Sequence, residues 1–115
     1  MLAIEALQQA DFDAQLLTTG DALLRSVAQS CPDLVLLDVE LPDANGFELC
    51  ERLRTLPSMA DVPIVMVTGH DDTSSIARAY EAGASDFINK PILWAMLPHR
   101  VEFLLRANAN MDALR

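Results

Sequence analysis

Three short aliphatic runs in this chain each stop at a residue of a different chemistry. Leu34-Val35-Leu36-Leu37 ends at Asp38, Ile64-Val65-Met66-Val67 ends at Thr68, and Phe87-Ile88-Asn89 leads into Lys90-Pro91. Aliphatic runs without polar alternation are expected to be buried on both faces, the habit of parallel strands covered by helices. That points to an α/β fold. In an open α/β sheet, ligands bind beyond the carboxyl ends of the strands, so Asp38, Thr68 and Lys90 are expected at one edge. A nucleophilic carboxylate, a hydroxyl donor and a cation are the parts needed to take up and hold a phosphoryl group.

The segments between the runs read as helices and turns. Leu2 to Ala10 has one apolar side, and Asp11-Phe12-Asp13 breaks it. Ala14-Gln15-Leu16-Leu17 is expected to form a short strand. Thr19 then caps a helix with Asp21 in its first turn and Leu23, Leu24, Val27 and Ala28 at helical spacing. Cys31-Pro32-Asp33 ends that helix. Leu41 to Gly46 is a dense turn signal, followed by a helix carrying Phe47, Leu49, Cys50 and Leu53. Pro57 and Pro63 bracket a loop. Asp71 or Asp72 caps a helix whose Ile76, Ala79 and Tyr80 share a face, and Gly83 closes it. Ser85 to Asn89 is the last strand. Ile92 to Asn108 is the last helix, with Pro98 expected to bend it, and Arg106 to Arg115 remains helix-compatible. Strand and helix alternate through short connections, a doubly wound pattern.

At 115 residues the chain is one domain at most, with a core of small aliphatics: 51% of its residues are hydrophobic and only 5% aromatic. No apolar run approaches the ~18 residues of a membrane span, and no secretory signal is visible, so a cytoplasmic location is expected. The net charge of −9, with Lys90 the only lysine, argues against direct nucleic-acid or anionic-membrane binding. Cys31 and Cys50 lack metal-ligand spacing and read as reduced thiols packed as small hydrophobes.

At Asp38, Thr68 and Lys90-Pro91 the chain resembles the receiver domain of two-component response regulators. The segments "PDLVLLDVELPDANGFELCERLR", "VPIVMVTGHDD" and "AYEAGASDFINKPI", and the closing helix, carry the resemblance to about Ala107. It implies a flavodoxin-like parallel sheet of strand order 2-1-3-4-5, with residues 1–107 as the receiver and 108–115 as the start of a helical linker. Receivers begin with a strand ending in an acidic pair. Here Met1 falls within the expected first helix, so that strand and pair are expected to be absent from this chain. Asp71-Asp72 is a helix cap and first-turn acid, not the missing pair.

The resemblance also implies roles. Asp38 is the phosphoacceptor, receiving its phosphoryl group from a histidine kinase or phosphotransfer protein in a reaction the receiver itself catalyses. Thr68 donates to a phosphoryl oxygen, Lys90 neutralises another, and Phe87 is the aromatic switch that turns inward when Thr68 moves. A cis Lys90-Pro91 peptide would aim the lysine inward. Mg²⁺ is held in the family by Asp38, the backbone carbonyl of Glu40 and the acidic pair. With the pair missing, it is expected to bind weakly or not at all here, and this chain by itself is not expected to be active. Glu40 and His70 tune the access of hydrolytic water. Arg100, Glu102 and Arg106 form a solvated helix face, and Trp94 and Met96 are packing residues. An output domain is expected beyond Arg115, with "NKPILWAMLPHRVEFLLRA" resembling receivers fused to cyclic-di-GMP domains. Strand edges near Ala14 and Leu34 lead to an expected homodimer or larger assembly. Two alternatives compete: a pseudo-receiver that only binds proteins, and a haloacid-dehalogenase-like phosphohydrolase, in which an acid/base Asp would stand where this chain has Glu40. An FMN carrier fits less well, since no hydroxyl-rich phosphate loop follows a first strand.

Overall fold

The computed structural model describes residues 3–69, 73–90 and 95–113, within two compact units: residues 17–90, and residues 1–16 together with 91–115. In the first unit, helix α2 (Gly20–Gln29) precedes strand β1 (Val35–Asp38) and helix α3 (Gly46–Arg54). A 3₁₀ turn (Pro57–Met59), strand β2 (Ile64–Thr68), helix α4 (Thr73–Glu81) and strand β3 (Asp86–Asn89) follow. The other unit holds helix α1 (Ala3–Gln9) and helix α5 (Leu97–Ala113), which touch one another.

The sheet is parallel, in the order β1-β2-β3, with Val35 opposite Ile64 and Val65 opposite Asp86. This is the α/β architecture expected from the three runs. Only β2, the middle strand, is buried at all five of its residues. β1 alternates between buried and half-buried, while β3 is half-buried at Asp86, Phe87 and Ile88 and exposed at Asn89. The expectation of burial on both faces therefore holds for β2 alone. Among the described residues, β1 and β3 are the two edges of the sheet. The core of this unit gathers Leu37, Leu49, Leu53, Met59, Ile64 and Met66.

Local chemistry explains most of the boundaries. Thr19 accepts a hydrogen bond from the Ala22 N–H, the expected N-cap of α2. Asp11 adopts a left-handed φ of 68°, and the Phe12 N–H returns to the Leu7 carbonyl, which closes α1 as its sequence suggests. Gly83, at φ +103°, ends the α4 turn. Arg54, which sequence reasoning passed over, reaches from the end of α3 to the carbonyls of Met59, Val62 and Gly83 at 2.6–2.8 Å. It thereby ties the α3–β2 connection to the α4–β3 connection.

Several expectations are corrected. Residues 14–17 form no strand; a strand needs a neighbour for its backbone groups, and none is described beside them. The last helix begins at Leu97, which puts Pro98 in its first turn. There a missing N–H costs nothing, so the helix is not interrupted. Tyr80 is exposed instead of sharing the buried face of Ala79, and Met96 is exposed as well. Cys50 is buried, which pushes its thiol pKa up, but Cys31 is exposed and donates to the Ser58 carbonyl. His70, Asp71, Asp72, Pro91 and Trp94 lie outside the described residues, and with them the water-tuning, helix-cap, cis-peptide and packing expectations.

Candidate functional site

Parallel pairing puts the carboxyl ends of all three strands on one edge. Asp38 is the last residue of β1, Thr68 the last of β2, and Lys90 follows the last of β3. The register sets Asp38 beside Val67 and Thr68 beside Asn89. The Lys90 N–H donates to the Thr68 carbonyl at 2.7 Å, so the β3 ladder continues one residue further and fixes the base of the lysine. Its Nζ then stands 2.9 Å from Asp38 Oδ2. The two residues are 52 apart in sequence.

The second carboxylate oxygen is also engaged. Oδ1 of Asp38 accepts the Glu40 N–H at 2.9 Å. A cation and a backbone N–H therefore both face the carboxylate, in positions suited to offset negative charge that develops there. The Asp38 side chain is 39% exposed and that of Lys90 46%, so a donor group in solution can reach the carboxylate. Thr68 differs, with only 1% of its surface exposed. Phe87 is half-buried and packs against the core.

The loop that follows Asp38 is tightly folded. Glu40 and Asn45 form an antiparallel bridge, and the Gly46 N–H donates to the Val39 carbonyl at 2.7 Å. Asn45 caps α3 by accepting from the Phe47 N–H at 2.8 Å. Gly46 has to be small: a Cβ there would lie 2.5 Å from the Asp38 carbonyl oxygen and 2.6 Å from Val39 Cα. At the far side of the loop, Asp43 accepts from the N–H groups of Gly20 and Asp21 at 2.8 and 3.1 Å. Sequence reasoning saw Asp43 only as a turn residue. No local pattern could have revealed partners 22 and 23 residues away.

A family model for the response regulator receiver domain matches residues 1–102. The chain belongs to that family. Among curated relatives, the receiver is 38% identical to the response regulator PleD of Caulobacter vibrioides over 84% of this chain and 21% of PleD. It is 39% identical to the DNA-binding response regulator MtrA of Mycolicibacterium smegmatis, over 89% of this chain and 43% of MtrA. The chain thus spans about a fifth of one and under half of the other. Among solved structures, it superposes on the signal receiver domain of a signal transduction histidine kinase from Syntrophus aciditrophicus with a TM-score of 0.81. That pair shares 29% identity, over 90% of this chain and 78% of the other. Family membership leaves the phosphohydrolase and FMN-carrier alternatives without support.

Mg²⁺ is the cofactor implied by the family. The Asp38 carboxylate and the Glu40 carbonyl expected to hold it belong to described residues, and among these no group of three or more carboxylate, imidazole or thiol side chains clusters to hold a metal. That donor set does not by itself make an octahedral oxygen site. No described helix is long and apolar enough to cross a membrane.

Proposed function

We propose that this receiver takes up a phosphoryl group on Asp38 and relays its presence through Thr68 and Phe87. The observation that carries the reading is the 2.9 Å approach of Lys90 Nζ to the Asp38 carboxylate at the carboxyl edge of the parallel strands. The donor is a phosphohistidine on a sensor kinase or phosphotransfer protein. An Asp38 oxygen bonds to phosphorus as the donor's P–N bond breaks, and the imidazole leaves with the electron pair. Such a transfer passes through a loose transition state and needs positioning and charge neutralisation more than covalent help. Lys90 supplies the neutralising charge and the Glu40 N–H a second donor.

The phosphoryl group can shift a conformational equilibrium only through contacts that differ between the two states. Thr68 is proposed to supply one, a reading supported by its position at the carboxyl end of β2, and Phe87, half-buried, has further surface to bury. An output domain that reads this state belongs to the same proposal. The resemblance of the closing stretch to receivers fused to cyclic-di-GMP domains supports an output of that class.

Incubating the intact protein with a small acyl phosphate and Mg²⁺ should label it, and Asp38→Asn should abolish the label. Labelling that persists in the mutant would overturn the assignment. Thr68→Ala should still accept phosphate but lose output, and full output from it would count against the relay.

A further inference from the structure

Helix α2 begins with three N–H groups that have no partner within the helix. Thr19 satisfies that of Ala22, at 3.1 Å, from the adjoining residue. The other two, on Gly20 and Asp21, are taken by one carboxylate from a distant loop: Asp43 Oδ1 at 2.8 Å and Oδ2 at 3.1 Å. One cap is local and one is long-range. The long-range cap comes from the loop that leaves the phosphoacceptor strand.

The close approach is built into the sequence at Gly20. A Cβ on Gly20 would lie 3.1 Å from Ala44 Cβ, 3.3 Å from Leu49 Cδ2 and 3.5 Å from Asp43 Oδ1. The first turn of α2 therefore seats directly on residues 43–44. The charge favours it too, because a carboxylate at a helix N-terminus meets the positive end of the dipole. The N–H groups, Gly20 foremost, hold the Asp43 carboxyl below its ordinary range.

From Asp43 the path back to the site is short. The Leu41 N–H donates to the Ala44 carbonyl at 3.3 Å, and Glu40 bridges Asn45 across the loop. At the near end of that loop the Glu40 N–H faces Asp38 Oδ1. We propose that Asp43 is a positioning residue for the phosphoacceptor: by clamping the 40–45 loop to the first turn of α2, it holds the Glu40 N–H on the Asp38 carboxylate. This rests on the reading of Asp38 as the acceptor. It adds a dependence of the acceptor's geometry on a helix that contributes no residue to the site.

A paired comparison separates this role from ordinary helix capping. Thr19→Ala removes a cap from the same helix turn without touching the loop, whereas Asp43→Ala removes the clamp. The intact proteins are compared by backbone amide exchange and by the rate of labelling with a small acyl phosphate. Asp43→Ala should lower the protection of the Glu40 amide and slow labelling about ten-fold, the scale of loss that small misplacement of reacting groups brings. Thr19→Ala should leave both within about two-fold of wild type. Asp43→Asn, with one oxygen left for two N–H groups, should fall between wild type and Asp43→Ala. Equal slowing in Thr19→Ala and Asp43→Ala would overturn the clamp in favour of helix stability alone, as would an unchanged Glu40 amide in Asp43→Ala. If wild type takes no label, the acceptor reading fails, and the Glu40 amide still decides whether the clamp exists.

Discussion

The Asp38–Lys90 ion pair is exposed on both sides, at 39% and 46% of the side-chain surface, so water and salt compete with it throughout. Pairs of this kind contribute ~0–1 kcal/mol to folding. Lys90→Ala should therefore change unfolding free energy by less than about 1 kcal/mol in a urea titration, while labelling by an acyl phosphate falls at least about ten-fold. A large stability loss with normal labelling would reverse the roles given to this residue. At this scale, the site residues legible from sequence were those whose position follows from strand ends. Asp38, Thr68 and Lys90 each close an aliphatic run, and parallel pairing converts that pattern into proximity. Asp43 was illegible because its partners belong to a helix whose distance from it only the fold determines. Arg54 escaped notice for the same reason, since three carbonyls from two connections meet its guanidinium.

Elements follow the same division between local and non-local causes. The start of α2 at Thr19 and the end of α4 at Gly83 were readable because a side-chain cap and a positive φ are properties of a few adjacent residues. The strand expected at residues 14–17 was not, because strands depend on partners, and apolar content alone does not supply one. Gly46 joins the two kinds of cause. It sits in a turn that sequence marks plainly, yet its smallness is demanded by the Asp38 carbonyl and Val39 Cα pressing on it. Both are backbone atoms, so no side-chain rotation relieves the clash. Gly46→Ala should cost about 1–3 kcal/mol in chemical denaturation and should also slow labelling at Asp38, whose carbonyl must shift. Stability and labelling both equal to wild type would show that the loop is looser than this packing requires.

For the molecule as a whole, three strand ends meet at one edge of the sheet within residues 17–90. Acidic residues outnumber basic ones by 17 to 8, with Lys90 the only lysine, so the ammonium group at the site stands in a predominantly negative chain. The chain covers 21% of PleD and 43% of MtrA. The proposed aspartyl phosphate is a covalent bond to one residue, and it can be trapped. Borohydride reduces an aspartyl phosphate to homoserine, which peptide mass spectrometry locates along the chain. After treatment of the intact protein with an acyl phosphate and Mg²⁺, homoserine should appear at position 38. Its appearance at another carboxylate, with Asp38 unmodified, would overturn the assignment of Asp38 as the acceptor.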